Sequence, residues 1–135
     1  MALVLDTGVL LSALNAKDAM HDDCVRLLRA ERDLVVPEPV LVELGYLLAR
    51  RAPGVWEQFC DDVSESRYCL FPTGSEGLGL ASAVQVRFDD QRIGFVDAAV
   101  LVACEQLGED KVATLDRRHF SVLKTVSGKT LEIVP

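Results

Sequence analysis

Apolar and polar positions follow two periods along this chain, and the periods alternate. Short apolar runs bounded by turn residues predict five strands, at residues 2–5, 34–36, 68–71, 111–115 and 130–134. Between the runs, apolar positions recur three and four residues apart, which predicts helices at residues 9–14, 19–31, 40–51, 55–64, 77–88 and 95–107. Strands that alternate with helices in this way predict an α/β fold with a mostly parallel sheet and helices on both faces.

The composition is that of a globular protein. Hydrophobic residues make up 50% of the chain and charged residues 26%, and there is no repeat, linker or low-complexity tract, so we expect residues 1–135 to form one domain. No apolar run approaches the roughly 20 residues that span a bilayer. The first residues lack the basic segment of a secretory signal, so we expect a cytoplasmic protein. The four cysteines show no metal-ligand or redox spacing, and we interpret them as reduced thiols.

Two acidic residues directly follow predicted strands. Asp6 comes after the apolar run at 2–5, and Asp116 after the run at 111–115. In parallel α/β sheets, functional groups collect beyond the carboxyl ends of the strands, so these two carboxylates are candidates for a site. Each also has a purely structural explanation, because Asp6 is a good N-cap for the next helix and Asp116 could simply open a turn.

Two further acids lie in apolar helical stretches. Glu43 has Val40, Tyr46 and Leu47 as its helical neighbours, which predicts an apolar face on which a carboxylate is costly unless it is paired, protonated or metal-bound. Its alternative is a side chain that reaches solvent at the edge of the helix. Asp97 precedes a helix that is apolar nearly all round, but an acid in a first turn also interacts well with the helix dipole.

The set of four predicts more than any single member. Carboxylates gathered at one end of a sheet repel one another, and divalent cations resolve the repulsion. Mg²⁺ takes oxygen ligands and can activate a water for attack on a phosphate. Other chemistry is poorly supported, because His21 and His119 have no obvious acid-plus-nucleophile partners and no phosphate-binding glycine motif is present. The net charge of −7 neither supports nor excludes a nuclease, since bound cations reverse the local sign.

The four acidic motifs, in this order and spacing, resemble those of PIN-domain proteins, and among them the VapC-type toxins of bacterial toxin–antitoxin pairs. The first motif is Asp6-Thr7-Gly8, the second lies at 40–44 around Glu43, and the third at 95–103 around Asp97. The fourth lies at 113–120 and has the pattern Thr-x-Asp-x-x-Phe. Each motif is weak alone, but together they cover nearly the whole chain.

The resemblance implies a three-layer α/β/α sandwich around a five-stranded, mostly parallel sheet. It also implies an endoribonuclease that uses one or two Mg²⁺ or Mn²⁺ ions, with Asp6, Glu43, Asp97 and Asp116 as catalytic metal ligands. Thr114, and less directly Thr7, would orient the site or a bound water. As partners it implies an RNA substrate, a small VapB-like antitoxin that covers the site, and a second copy of the chain in a homodimer, with no membrane.

Some assignments stay open at this point. Arg117, Arg118 and His119 either contact the RNA backbone or belong to a solvated turn. Trp56 and Phe59 pack in the core or in a dimer more often than they stack on bases, although an exposed patch there could receive the antitoxin.

Two other functions predict different residues. A PIN-fold binding module without activity predicts that one of the four acids is missing. A metal-dependent phosphatase or phosphoacceptor domain predicts a lysine beside the acids, which neither Lys111 nor Lys124 supplies well. The residues do not distinguish RNA from DNA or name the RNA, although single-stranded loops are the easier target to read.

Overall fold

A five-stranded parallel sheet forms the centre of the computed structural model, which describes residues 1–135. The strands are β1 (Ala2–Leu5), β2 (Asp33–Pro37), β3 (Cys69–Phe71), β4 (Lys111–Ala113) and β5 (Glu132–Val134). Their order across the sheet is β3-β2-β1-β4-β5, and every neighbouring pair is parallel. The predicted α/β sandwich with its parallel sheet is therefore confirmed.

Seven helices accompany the sheet: α1 (Thr7–Ala13), α2 (His21–Ala30), α3 (Glu38–Leu48), α4 (Pro53–Ser64), α5 (Gly74–Arg87), α6 (Phe95–Leu107) and α7 (Arg117–Phe120). A single 3₁₀ turn at Asp89–Gln91 precedes α6. Every residue from 98 to 104 in α6 is buried, as its apolar sequence predicts. None of the helices is both long and apolar enough to cross a membrane.

Several element boundaries differ from the sequence predictions by two or three residues. Helix α3 begins at Glu38 and α4 at Pro53, each two residues earlier than predicted. Proline is tolerated in a first helical turn, where its missing N–H would have no partner, so Pro39 and Pro53 start these helices instead of delaying them. Residues 117–120 form the short helix α7 where only a turn was predicted.

The aromatic residues of α4 take the packing role. Phe59 is fully buried and stacks on Trp56, with ring centroids 5.9 Å apart. Phe59 therefore belongs to the core and cannot form part of an exposed patch for the antitoxin. All four cysteines are free thiols; Cys24 and Cys104 are buried, whereas Cys60 and Cys69 are exposed.

The position of β1 and β4 prepares the site. These strands are adjacent and parallel, with Leu5 opposite Ala113. The next residues along both strands therefore leave the sheet at the same edge, and the backbone N–H of Asp6 still donates to the carbonyl of Ala113 at 2.9 Å.

Candidate metal centre

Asp6 lies at the centre of this edge, where β1 passes into α1. Its Oδ1 accepts a hydrogen bond from the N–H of Thr7 at 2.8 Å, so Asp6 is indeed the N-cap of α1. Its Oδ2 accepts a second hydrogen bond from the hydroxyl of Thr114 at 2.7 Å. Burial raises the pKa of Asp6, and these two hydrogen bonds oppose the rise. The carboxylate is thus buried, oriented and held from both sides.

Thr114 joins Asp6 to Asp116 through a single hydroxyl group. While its Oγ1 donates to Asp6, it accepts from the backbone N–H of Asp116 at 3.0 Å. The side chain is fully buried, so no water competes for these bonds. Thr114 therefore lies between the two acids and is hydrogen-bonded to both.

Asp116 caps the short helix α7 and contacts His119. Its Oδ1 accepts from the N–H of His119 at 3.1 Å, and its Oδ2 lies 2.8 Å from Nδ1 of the same residue. His119 therefore has an acid partner, which was not obvious from the sequence. The signal was present in the sequence, because an acid at a helix N-cap and a residue three positions later face each other.

Asp97, in the first turn of α6, completes the group. Its Oδ2 lies 3.6 Å from Nδ1 of His119, and its side chain is 20% exposed. The pKa of Asp97 is raised to about 7, first by burial and then by the negative charges of Asp6 and Asp116, while His119 opposes the rise. Asp97 is therefore a residue of the first helical turn whose charge is destabilised by burial and by the other acids.

Glu43 takes the alternative position considered for it. Helix α3 packs inward through Val40 and Leu44, which are fully buried, and the side chain of Glu43 is exposed. Its neighbour Tyr46 is 84% exposed, so the carboxylate reaches solvent at the edge of the helix. The charge of Glu43 nevertheless raises the pKa values of both Asp6 and Asp97. Glu43 thus faces the same site from its solvent side.

The remaining candidates lie around this centre. Thr7 donates its backbone N–H to Asp6, but its buried Oγ1 has no hydrogen-bond partner. Arg117 and Arg118 are exposed on α7, and the guanidinium of Arg117 contacts the carbonyl of Pro135. The guanidinium of Arg118 makes no such contact.

The donor set fits a divalent cation. Ligand atoms of Asp97, Asp116 and His119 all lie within 4.8 Å of one another, and Asp6 joins Asp116 through Thr114. Carboxylate oxygens are the ligands that Mg²⁺ and Mn²⁺ favour. The raised pKa of Asp97 arises partly from like charges, and a cation would compensate those charges. The residues present therefore suit a carboxylate-held metal ion.

Known proteins resemble this chain over most of its length. The family model described as the PIN domain matches residues 3–125. Ribonuclease VapC26 of Mycobacterium tuberculosis is 30% identical over 136 residues, covering 98% of this chain and 100% of that protein.

Two solved structures share the fold. One is Mycobacterium tuberculosis VapC20, described as a toxin that cleaves the sarcin-ricin loop; it has a TM-score of 0.73 and 22% identity, over 82% of this chain and 86% of that chain. The other is VapBC2 of Rickettsia felis, bound to a DNA fragment from its promoter, with a TM-score of 0.71 and 17% identity over 100% of both chains. At these identities the two structures support the fold rather than a substrate.

Proposed function

The chain belongs to the PIN-domain family, and we propose that it is a metal-dependent endoribonuclease, the toxin of a VapBC-type toxin–antitoxin pair. The observation that carries the proposal is the convergence of Asp6, Asp97 and Asp116 at one sheet edge. The charge of Glu43 is close enough to raise the pKa values of Asp6 and Asp97. The identity to a ribonuclease over nearly the whole chain supports the same activity.

The four acids are the proposed catalytic residues and metal ligands. Thr114 holds Asp6 and Asp116 in fixed orientation, and the cap of α1 fixes the other oxygen of Asp6. One or two Mg²⁺ or Mn²⁺ ions, when bound, would supply an activated water and stabilise charge on the attacked phosphate. Asp97, with its raised pKa, is the ligand whose charge depends most on such an ion.

RNA is the proposed substrate, and its single-stranded loops are the favoured target because their bases are accessible. Arg118 and, less freely, Arg117 are the proposed contacts to the phosphate backbone beside Asp116. This local positive charge matters in a chain of net charge −7, which otherwise repels nucleic acid.

A small VapB-like antitoxin is the proposed partner. Exposed apolar side chains, including Val42, Tyr46 and Leu78, line an open groove that also includes Glu43 and Phe95. Apolar surface of this kind marks protein contact sites, and a chain seated there would cover Glu43. We also expect the chain to form a homodimer and residues 1–135 to act as one domain. The proposed location is the cytoplasm, where the exposed thiols of Cys60 and Cys69 stay reduced.

The two other functions fit less well. All four acids are present and at least three lie together, which disfavours a PIN fold that only binds a partner. Lys111 begins β4, at the end of that strand away from Asp116, and Lys124 is exposed. Neither lysine is among the groups that perturb Asp97, which disfavours a phosphoacceptor site.

Cleavage of pooled cellular RNA tests the proposal. The purified chain, freed of any antitoxin, is incubated with Mg²⁺, with Mn²⁺ and with chelator, and a parallel reaction contains single-stranded DNA. We expect discrete RNA fragments that require the metal. Asp97→Asn should reduce their rate about 100-fold or more, because it removes a ligand charge at constant size.

The matched control is Asp110→Asn. Asp110 is exposed, pairs with Lys129, and lies before β4, at the opposite edge of the sheet. The Asp110→Asn variant should cleave RNA at the wild-type rate. Undiminished cleavage by Asp97→Asn, or no cleavage with either metal by the folded protein, would contradict the proposal and favour the binding module.

A further inference from the structure

The ring of His119 lies within the carboxylate site, although the function proposed above gives it no role. Nδ1 is 2.8 Å from Oδ2 of Asp116 and 3.6 Å from Oδ2 of Asp97. The side chain is 25% exposed, so the ring fills space between two acids that come from different elements, α6 and the β4–α7 turn. An imidazole nitrogen is thereby placed among carboxylate oxygens.

These separations match those of neighbouring ligands on one ion. Two ligands at right angles, each about 2.1 Å from an octahedral ion, lie about 3.0 Å from each other, and opposite ligands lie about 4.2 Å apart. The two distances from Nδ1 fall around the smaller value, and all three ligand atoms lie within 4.8 Å. One ion can thus be reached by both carboxylates and the imidazole with small side-chain adjustments.

The local structure holds the ring in this position. The N–H of His119 is bonded to Oδ1 of Asp116 at 3.1 Å, and the N–H of Phe120 is bonded to the carbonyl of Asp116 at 3.2 Å. Phe120 is almost fully buried and fastens this turn to the core. The imidazole therefore reaches the site as part of a fixed turn rather than as a free surface side chain.

Ligation at Nδ1 is compatible with the chemistry of imidazole. A hydrogen on Nδ1 can be donated to Oδ2 of Asp116. A metal ion binds the lone pair of a neutral ring nitrogen, so ligation requires the tautomer whose single ring hydrogen is on Nε2. The hydrogen then moves from Nδ1 to Nε2, and the ion would take its position beside the carboxylate.

We propose that His119 is a nitrogen ligand of the divalent cation, so that the centre is a mixed carboxylate–imidazole site rather than an all-oxygen one. The proposal rests on the function proposed above and specifies its metal chemistry. Mg²⁺ strongly prefers oxygen, whereas affinity for nitrogen rises from Mn²⁺ towards Co²⁺ and Ni²⁺. The mixed site therefore selects Mn²⁺ over Mg²⁺ more strongly than the four acids alone would.

Pulsed electron paramagnetic resonance of the Mn²⁺-loaded protein tests this ligation directly, because a bound imidazole nitrogen couples to the electron spin of Mn²⁺. The chain contains two histidines, which makes the assignment simple. We expect a strong nitrogen modulation in the wild type that disappears in His119→Gln. His21→Gln is the matched control and should keep it, since Nδ1 of His21 contacts the carbonyl of Ser12 instead.

Calorimetry on the same variants gives the affinities. His119→Gln should weaken Mn²⁺ binding about tenfold or more and Mg²⁺ binding much less, while His21→Gln changes neither. Circular dichroism and melting temperature verify that each variant is folded.

Three results would overturn the ligand role. They are Mn²⁺ binding without nitrogen modulation, modulation that survives in His119→Gln, and an equal loss of Mn²⁺ and Mg²⁺ affinity. In each of these cases the carboxylate nuclease remains intact. Failure of the folded wild type to bind Mn²⁺ at all would contradict both the ligand role and the proposed function.

Discussion

Thr114 is the residue on which the relative position of two acids depends. Its fully buried hydroxyl donates to Asp6 and accepts from the N–H of Asp116. The donated bond also lowers the pKa of Asp6 against the effect of burial. One small side chain therefore influences both the geometry and the charge of the site.

Replacement of Thr114 by valine should separate these effects. Thr114→Val keeps the shape but leaves a buried carboxylate oxygen and an N–H without their partner, so we expect the free energy of unfolding to fall by about 1–3 kcal/mol. Metal affinity and RNA cleavage should fall as well, because Asp6 loses its orientation. Chemical denaturation and calorimetry measure the two quantities.

Thr114→Ser is the control for this change. Serine retains the hydroxyl, so metal affinity should return close to the wild-type value even if the lost methyl group costs some stability. A valine variant that binds Mn²⁺ as tightly as the wild type would show that Thr114 does not orient the acids.

At the scale of elements, the approach of α3 to α4 depends on a glycine. A Cβ atom at Gly45 would lie 3.0 Å from both Cη2 and Cζ2 of Trp56. The indole ring has little room to move, because it stacks on the buried Phe59. Helix α3, which carries Glu43, is therefore positioned against α4 by a contact that has no space for a methyl group.

Gly45→Ala is expected to destabilise the protein by about 1 kcal/mol or more, because overpacking outweighs the gain in helix propensity. In a Trp56→Phe background, the Cη2 and Cζ2 atoms that crowd position 45 are absent. There the same change should become stabilising. Urea denaturation of the four proteins of this cycle gives the coupling. A stabilising Gly45→Ala in the wild-type background would indicate that the two helices move apart at little cost.

At the scale of the whole molecule, a negatively charged chain concentrates further negative charge at one edge. The net charge is −7, and the pKa of Asp97 is raised to about 7, first by burial and then by Asp6 and Asp116. The pKa of Asp6 is raised too. Without a bound ion, folding therefore costs free energy at these carboxylates, because they ionise more easily in the unfolded chain.

This charge makes the stability of the ion-free protein depend on pH. Below pH 4, Asp97 is protonated in both states and costs nothing. Between the ordinary value of 3.8 and about 7, the unfolded chain has released the proton that the folded protein retains, so stability falls as the pH rises. At about 1.4 kcal/mol per unit, the loss reaches about 4 kcal/mol at most and is complete above pH 7.

Melting temperatures in chelator between pH 5 and 8 measure the effect. The wild type should lose stability across this range, and Asp97→Asn should lose much less, since its amide does not ionise. Mn²⁺ should raise the melting temperature more at pH 8 than at pH 5. A flat pH profile for the ion-free wild type would contradict the crowding of charge at this edge.

The sequence by itself determined the order of strands and helices and the place of two acids. Asp6 and Asp116 follow strands, and all strands of a parallel sheet end at the same edge, so local pattern and one topological rule place both acids there. The adjacency of β1 and β4 was decided by the fold. Asp97 was found because the helix after it is apolar nearly all round. Periodicity and capping are local properties, and the chain displays them before it folds.

Only the tertiary structure decided how the other groups meet these acids. Which face of α3 is covered depends on where α4 and α6 pack, so the exposure of Glu43 could not be read from its apolar neighbours. The meeting of His119 with Asp97 joins positions 22 residues apart in the chain, and the bond from Thr114 to Asp6 spans 108. Contacts of this kind depend on the long-range packing of several elements at once, which no local pattern in the sequence specifies.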